Sequence, residues 1–449
     1  LFCLYLKLIK FIRNGKNMFN IVINSSEQYI NYVSVLINNI VLKTEREKKF
    51  VDLCDPYLLN TESHQNHDYL VVNSCLEYQS QEEGYVFHIL GDDFKQEIKD
   101  KFYKLAERLS SYYPCKVCFY YVDDECFKKE HLVKWAGSYA TYYKLYMGLI
   151  LPDNIEYCLY IDTDMHILFD IREIFAIDLK DKVLAAVDTA VKANPIRSLK
   201  TEYPDFIFKA NWFNSGFMFI NLYKWRKENI EKLSFEFMES YPIPHAPDEL
   251  ILNAIVYDRI KLPLRYNFIL GHYMADTVDL HASYGFENYQ GGFLYSLEHY
   301  KNNLQNAKIL HYAWHCIKPW NSSYCRLDLN YAPIKFPCIQ MWWDVALNTP
   351  YFEDYFKELK LKIEKSDLET YARSISWKLK ELENQINELK NNNDKNQRQC
   401  FNNHPKELTL SFQLGQALIK AHKNWYKGGY IKFIFEALKI KQEFQKGKI

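Results

Sequence analysis

The sequence predicts an α/β domain built on a mixed, mainly parallel sheet, followed by a helical C-terminal region. From Met18 onward, stretches rich in strand-forming residues alternate with stretches of helical spacing. A pair of aspartates directly follows one of these predicted strands. Beyond residue 330 the alternation stops and helical periodicity takes over. Because 449 residues exceed one ordinary core, we expect more than one structural unit.

The predicted elements follow one another in β-α-β-α order. Strands are expected over "FNIVIN", "YVFHILGDD", "CKVCFYYV", "CLYI" and "KVLAAVD". Helices are expected over "YINYVSVLINNIV", which the polar "SSEQ" would cap, over "FKQEIKDKFYKLAERL", and over "ATYYKLYMGLILP", which Pro152 would stop. In sheets of this kind, ligands bind outside the carboxyl ends of the strands.

Composition is that of an ordinary globular protein. Hydrophobic residues make up 48%, charged residues 25%, and the formal net charge is zero, so we expect no nucleic-acid partner. Eleven cysteines without regular spacing indicate reduced, cytosolic thiols rather than a disulfide framework. The 36 tyrosines serve either as binding surfaces or as core packing.

Residues 1–17 differ in character from the rest of the chain. Their apolar run of about 12 residues is interrupted by Lys7 and Lys10 and is shorter than the ~20 residues a membrane span needs. We interpret residues 1–17 as an upstream or non-native extension, with the folded protein beginning near Met18. A weak interfacial helix is the alternative.

Asp162 and Asp164 follow the strand "CLYI" and point the same way from an extended chain, about 7 Å apart along it. Two bare carboxylates ~6 Å apart repel by roughly 3 kcal/mol at an effective dielectric near 20. A helix cap or an Asx turn is one explanation for such a pair. A bound Mg²⁺ or Mn²⁺ completed by substrate phosphates is the other, and it predicts a phosphate ester as substrate.

The segment "YIDTDMHIL" is similar to the Asp-x-Asp motif of retaining nucleotide-sugar glycosyltransferases of family 8. Further blocks on either side of this segment match the family in its order, and they are "IVINSSEQY", "ATYYKLYMG", "FNSGFMFINLYKW", "HAPDELILNAI" and "ILHYAWHCIKPW". The resemblance implies a Rossmann-like, GT-A type nucleotide-binding domain over residues 18–330. It also implies transfer of glucose or galactose from a UDP-hexose to a glycan acceptor, as in bacterial lipooligosaccharide or lipopolysaccharide synthesis.

The resemblance also assigns roles to individual residues. Asp162, Asp164 and His311 match metal ligands, and the mixed carboxylate and imidazole set favours Mn²⁺ over Mg²⁺. Lys318 matches a lysine that neutralises the diphosphate. The residues implied in donor binding are Ser26, Glu27, Tyr29, Lys144, Asp162, Asp188, Asn214, Ser215 and Lys318.

Asp248 and Glu249 are the implied catalytic residues, and Glu249 departs from the family. Relatives usually carry Gln at that position, beneath the anomeric carbon. Retention of anomeric configuration requires either a double displacement, for which Glu249 could be the nucleophile, or attack on the leaving-group face. We favour the second route, because the family works without that carboxylate.

Residues 331–449 form the predicted helical region. Apolar residues alternate four and three apart in a short coiled coil over 366–392, at Leu368, Ala372, Ile375, Leu379, Leu382, Ile386 and Leu389. We expect either a homodimer through this seam or packing on the chain's own domain. A polar linker is predicted at "KNNNDKNQRQ", followed by a basic amphipathic helix over 408–446. Such a helix suits either an anionic bilayer, here the cytoplasmic face of an inner membrane and a lipid-linked acceptor, or packing on the core.

Two other functions remain open at this point. A metal-dependent phosphoryl-transfer enzyme or nuclease would also use paired aspartates. A catalytically inert scaffold assembling through the coiled coil is the second alternative.

Overall fold

The computed structural model describes residues 17–53, 83–128, 132, 134–135, 137–190, 194–200, 203–243, 246–274, 294–313, 318–323, 326–327, 333–334, 337–399 and 410–446. The chain divides into two compact units, Leu1–Asp367 and Leu368–Ile449, and the boundary falls inside one long helix. Most of the predicted extension, residues 1–16, lies outside the described residues, whereas Asn17 already belongs to the first strand.

A seven-stranded mixed sheet organises the first unit. Its strands are β1 Asn17–Ser25, β2 Glu83–Gly91, β3 Cys115–Tyr121, β4 Tyr157–Ile161, β6 Leu184–Ala190, β7 Trp212–Asn221 and β8 Ile260–Lys261. Their order across the sheet is β3-β2-β1-β4-β7-β6-β8. Strands β1 to β4 pair in parallel, while β7 is antiparallel to both β4 and β6. This mixed, mainly parallel sheet confirms the predicted fold class.

A smaller three-stranded sheet lies at the carboxyl end of β4. It consists of β5 Met165–Ile167, β9 Phe268–Ile269 and β10 Ile309–His311, in the order β5-β10-β9. The described residues also contain the two-stranded pair β11 Arg326–Leu327 and β12 Pro333–Ile334.

Helices connect the strands of the first unit and make up the second unit. Among the described residues, the α-helices are Ile30–Leu42, Phe50–Leu53, Gln96–Leu109, Met147–Ile150, Leu222–Lys227, Ile230–Ser240, Pro247–Ile255, Leu270–Tyr273, Leu297–Asn303, Ile339–Ala346, Glu353–Gln399, Leu410–Lys423 and Gly429–Gln445. The 3₁₀ helices in the same part of the chain are Glu125–Phe127, Ala140–Tyr146, Ile171–Ala176, Leu264–Asn267, Leu304–Asn306 and Trp425–Lys427.

The main sheet is buried on both faces, as its nearly continuous apolar strands predict. Side chains alternate between the faces along each strand. Thus Leu159 and Ile161 of β4 join one apolar core, while Cys158 and Tyr160 join the other. Asp162, which follows Ile161, is therefore attached to a strand that apolar packing holds on both faces of the sheet.

Three sequence-based predictions are wrong in detail. The segment "ATYYKLYMGLILP" forms a 3₁₀ helix over Ala140–Tyr146 and only a short α-helix after it. Side-chain contacts across the fold hold this stretch, because Asn24 donates to the Ala140 carbonyl and Thr141 to Asp248, and such contacts override helix propensity. The helix Ile30–Leu42 has no side-chain cap from "SSEQ" and instead follows a turn in which the amide of Tyr29 donates to the carbonyl of Ser26.

The third concerns the predicted polar linker at residues 390–399, which is helical. The helix Glu353–Gln399 continues through it, since extending an existing helix adds one hydrogen bond per residue without a new nucleation step.

In the sheet, Cys115 and Cys118 form a Cys-x-x-Cys pair on β3 that the sequence interpretation overlooked, and both are free thiols.

The second unit is helical. Within it, Gly415 approaches the side chain of Ile386, so part of the predicted seam is covered by the chain's own helix Leu410–Lys423. His422 bonds the hydroxyl of Tyr430 at 2.7 Å, and Lys420 lies 3.5 Å from Glu436, which ties that helix to Gly429–Gln445. The homodimer stays a prediction. Among the described residues, no helix has the length and apolar character needed to cross a bilayer.

Candidate active site

The strand pairing around β4 brings three predicted ligands together. Asp162 follows β4 directly, and Asp164 precedes β5, whose Met165 pairs with His311 of β10. The backbone N–H of Tyr312 also donates to the Asp164 carbonyl at 2.9 Å, which extends the pairing of β5 and β10 by one hydrogen bond next to His311. Two aspartates and a histidine separated by about 150 residues of chain thus meet at one sheet edge.

The side chains of Asp162, Asp164 and His311 could hold one metal ion. Each offers a ligand atom, and these atoms all lie within 4.8 Å of one another. Burial lowers the pKa of His311 to about 4, so its imidazole is neutral and a ring nitrogen keeps its lone pair. Burial opposes the charge on Asp162, but Lys144, His311, Lys318 and the hydrogen bond from Tyr160 together outweigh burial and hold the pKa of Asp162 below its ordinary value. Two carboxylates and one neutral imidazole fit Mn²⁺ well.

A lysine side chain, that of Lys318, lies beside the three predicted metal ligands. The ammonium of Lys318 donates to Oδ2 of Asp164, while Nε2 of His311 is 3.3 Å from Oδ1 of the same carboxylate. Burial lowers the pKa of Lys318 to about 7, against the attraction of Asp162. The neighbouring Trp320 stacks on Tyr32 at 4.2 Å between ring centroids, which anchors the short segment that carries Lys318.

Lys144 is a buried lysine between two predicted site aspartates. Its Nζ lies 2.6 Å from Oδ2 of Asp248 and 3.5 Å from Oδ1 of Asp162, above the ring of Tyr160. Burial disfavours its charge, but the attraction of Asp162 and Asp248 outweighs burial, and the pKa of Lys144 lies above its ordinary value. The hydroxyl of Ser215 donates to Asp248 at 2.6 Å. Because Thr141 also donates to its other oxygen, Asp248 is engaged at both oxygens and orients Thr141, Lys144 and Ser215.

Glu249 lies beside Asp248 at the start of the helix Pro247–Ile255, and both of its oxygens accept hydrogen bonds. The indole of Trp212 donates to one oxygen. The amide of Asn214 donates to the other at 2.6 Å, and the backbone N–H of Ser215 reaches it at 3.3 Å. Burial nevertheless raises the pKa of Glu249 to about 7.

A chain of side-chain hydrogen bonds joins Glu249 to the metal cluster. The amide of Asn214, which donates to Glu249, accepts from Asn267 at 2.8 Å. Asn267 in turn bonds Nδ1 of His311 at 2.8 Å and is fully buried. One face of the site is thereby fixed from His311 to Glu249.

The predicted contacts to the nucleotide base lie at the same sheet edge. Ser26 follows β1. The hydroxyl of Thr163, the residue between the two predicted ligand aspartates, donates to the carbonyl of Asn24 at 3.3 Å and so holds the end of β1 beside them. The backbone N–H of Glu27 donates to Asp92, and the half-buried ring of Tyr29 lies edge-on to Trp320 at 6.3 Å. Their roles toward a nucleotide stay predictions.

Asp188 binds a different partner from the rest of the site. Its carboxylate pairs with the buried Arg259, and Lys261 lies 3.4 Å from its other oxygen. The guanidinium of Arg259 lies over the ring of Phe213, next to Asn214. The predicted donor contact of Asp188 stays a prediction, and in the structure this residue supports β7.

Several side chains of the site were missed by sequence reasoning. Tyr160, whose hydroxyl donates to Asp162 at 2.7 Å, could have been found, because i and i+2 on a strand share a face. Asn267, Trp212, Thr141 and Asp92 have no local pattern that indicates a site.

Comparison with known proteins fits this architecture. The model of the family "Glycosyl transferase family 8" matches residues 20–323, and a domain of unknown function (DUF8374) matches residues 378–446. The site that brings Asp162, Asp164 and His311 together thus lies within a glycosyltransferase domain. The chain belongs to glycosyl transferase family 8.

Relatives match over part of their length. The lipopolysaccharide 1,3-galactosyltransferase of Salmonella typhimurium is 27% identical over 207 residues, covering 44% of this chain and 59% of the relative. The lipopolysaccharide 1,2-glucosyltransferase of Escherichia coli is 28% identical over 214 residues, covering 46% and 60%. The solved structure of galactosyltransferase LgtC with donor and acceptor sugar analogs is 19% identical, covers 76% of this chain and 100% of that chain, and has a TM-score of 0.48.

Proposed function

We propose that the protein is a metal-dependent, retaining glycosyltransferase that moves glucose or galactose from a UDP-hexose to a glycan acceptor. The observation that carries the proposal is the convergence of Asp162, Asp164 and His311, with ligand atoms within 4.8 Å of one another. Lys318 lies beside them, where an anionic diphosphate would need a compensating charge. Membership of glycosyl transferase family 8 supports this function over that of a phosphoryl-transfer enzyme.

The site can stabilise a departing nucleotide diphosphate. Asp162, Asp164 and His311 would hold Mn²⁺, which when bound supplies Lewis-acid stabilisation of the diphosphate oxygens. Lys318 adds a positive charge from the protein itself. Because burial lowers the pKa of Lys318 to about 7, an arriving diphosphate would favour its charged form.

The sugar would lie between the cation and Glu249. Asn214 and Ser215 sit between these two groups and carry amide and hydroxyl groups suited to sugar hydroxyls. Gly216 lets the backbone of β7 approach Asp162 and His311 closely at that point.

Attack on the leaving-group face remains the favoured route to retention. Both oxygens of Glu249 already accept hydrogen bonds, from Trp212 on one side and from Asn214 and Ser215 on the other. A nucleophilic carboxylate would have to give up part of that bonding to reach the anomeric carbon. We therefore assign Glu249 to electrostatic stabilisation of the positively charged transition state and to bonding of sugar hydroxyls.

The second unit supports a membrane setting for the reaction. On the helix Gly429–Gln445, Ile431, Ile434, Phe435 and Leu438 share one face and are between 56% and 69% exposed. Seven lysines and two glutamates occur between residues 410 and 446, so this region attracts anionic lipid headgroups. We propose that it binds the cytoplasmic face of an inner membrane, where a lipid-linked glycan acceptor would be presented.

A donor panel tests the function. The purified protein is incubated with UDP-glucose, UDP-galactose and other UDP-sugars, with Mn²⁺, Mg²⁺ or a chelator, and released UDP is measured. We expect release from one UDP-hexose that depends on the divalent cation. Release without any cation, or from no UDP-sugar at all, contradicts the proposal, and the second result favours an inert scaffold.

A further inference from the structure

The buried amide of Asn267 contacts the predicted metal ligand His311 without being a ligand itself. Asn267 ends the 3₁₀ helix Leu264–Asn267 and directly precedes β9, which pairs with β10, the strand that carries His311. It is 0% exposed and bonds Nδ1 of His311 at 2.8 Å. Either the oxygen or the NH₂ group of the Asn267 amide can face the imidazole. This choice determines which ring nitrogen of His311 carries the hydrogen.

The hydrogen-bond chain fixes that orientation. The backbone N–H of Gly216 can only donate, and it donates to Oδ1 of Asn214 at 3.1 Å. Asn214 therefore presents its NH₂ group to Glu249, at 2.6 Å. Since Oδ1 of Asn214 only accepts, Asn267 must turn its own NH₂ group toward Asn214, at 2.8 Å, and its oxygen toward His311.

The orientation of Asn267 determines the tautomer of His311. An amide oxygen accepts only, so Nδ1 of His311 carries the hydrogen and donates it. In a neutral imidazole, Nε2 is then left with a lone pair. Nε2 is the ring nitrogen that faces Asp164, at 3.3 Å from its Oδ1.

We propose that Asn267 is a positioning residue that selects the Nδ1–H tautomer of His311 and thereby presents Nε2 to the divalent cation. This inference rests on the proposed metal-dependent function. The same hydrogen bonds hold both the predicted cation site and Glu249, because Asn267 and Asn214 link His311 to Glu249. Outer partners of metal-bound histidines commonly set the ring nitrogen in this way.

Two nearly isosteric substitutions separate this role from simple packing. Asn267→Leu keeps the branched shape and the four side-chain heavy atoms but removes the acceptor for His311. Asn267→Asp keeps the acceptor for His311 but turns an oxygen toward Oδ1 of Asn214, which costs stability. Asn38→Leu is the matched control, because Asn38 is equally buried and bonds Thr349 at 3.2 Å in another part of the unit.

The experiment is a Mn²⁺ titration of the full-length proteins, with free Mn²⁺ measured by electron paramagnetic resonance and folding by thermal melting. We expect Asn267→Leu to weaken Mn²⁺ binding about 10- to 100-fold. Asn267→Asp is expected to melt at a lower temperature yet bind Mn²⁺ within about threefold of the wild type, as the retained acceptor requires. Asn38→Leu should leave Mn²⁺ affinity unchanged.

Three results would overturn the inference, and they are distinguishable. Wild-type affinity in Asn267→Leu shows that the acceptor is not needed. Equal losses of affinity in the Leu and Asp variants show a structural role only, and if the Leu variant does not fold, a loss in the Asp variant decides the matter. If the wild type binds no Mn²⁺ and the His311→Ala variant gives the same titration, the proposed metal site is wrong, and this inference fails with it.

Discussion

Gly216 lies so close to Asp162 that position 216 has no room for a side chain. A Cβ there would be 2.6 Å from Oδ2 of Asp162 and 2.8 Å from Cε1 of His311, well inside ordinary contact distance. The antiparallel register of β4 and β7 creates this approach, and the amide of Asp162 donates to the Gly216 carbonyl at 2.8 Å. The glycine is thus required by the side chains of Asp162 and His311, the two predicted metal ligands that it faces.

Gly216→Ala should therefore damage the metal site more than the fold. The added methyl must displace Asp162 or His311, and we expect at least a tenfold loss of Mn²⁺ affinity. A Mn²⁺ titration alongside a thermal melt checks this. Gly415→Ala is the control, because a Cβ at that helical position meets only the Ile386 side chain at 3.4 Å. Unchanged Mn²⁺ affinity in Gly216→Ala would contradict the proposed ligand positions.

Glu249 should make stability depend on pH. Burial raises its pKa to about 7 in the folded protein, against roughly 4.3 in an unfolded chain. Its neutral form is therefore favoured by folding, and that stability is fully present below pH ~4.3 and lost as pH rises through 7. Glu249→Gln has no such titration, so between pH 5 and 8 the wild type should lose about 2 kcal/mol relative to the variant.

Denaturant unfolding of both proteins across that pH range measures the difference. The exposed Glu107 of the helix Gln96–Leu109 provides the control, because Glu107→Gln should shift stability by the same small amount at every pH. A pH-independent difference between wild type and Glu249→Gln would show that the carboxylate is ionised in the fold throughout the range.

The same substitution distinguishes the two routes to retention. If Glu249 acts electrostatically, Glu249→Gln should keep at least about a tenth of the turnover, since an amide oxygen still faces the sugar. If Glu249 is the nucleophile, turnover should fall about 10⁴-fold. Steady-state UDP release and mass spectrometry of the intact wild-type protein decide between them. A covalent glycosyl adduct on Glu249 would refute the favoured route.

The outward apolar face of the helix Gly429–Gln445 predicts selective binding to anionic membranes. Phe435→Glu places a charge at the centre of that face, and we expect it to weaken sedimentation with phosphatidylserine-containing vesicles at least tenfold. Leu149→Glu is the matched control, because Leu149 is 71% exposed on the first unit. Equal binding to neutral and anionic vesicles, or equal loss in both variants, contradicts the proposed surface.

The sequence predicted the sheet well because its buried strands are marked by apolar runs that end in polar residues. The acidic pair after β4 could be read for the same reason, and the resemblance supplied His311 and Lys318. Asn267 could not be found, because its partner His311 lies 44 positions away and only the pairing of β9 with β10 joins them.

The errors lie where context overrides local preference. The asparagine-rich residues 390–399 suggest a linker, yet a helix that begins at Glu353 runs through them. Lys144 belongs to a segment with α-helical spacing, but the 3₁₀ turn it adopts lets it pair with both Asp162 and Asp248. Such contacts depend on which strands become neighbours, and sequence spacing does not contain that information.

Calorimetry of UDP binding tests the proposed metal-dependent donor site, because it separates nucleotide recognition from turnover and from the acceptor. UDP is titrated into the wild type, Asp164→Asn and Lys318→Met, each with Mn²⁺ and with a chelator. We expect UDP to bind the wild type only with the cation, and Asp164→Asn to lose this dependence together with at least tenfold in affinity. Lys318→Met should bind UDP more weakly but still require Mn²⁺. Equal UDP binding with and without Mn²⁺ in the wild type would contradict the proposed metal-dependent donor site.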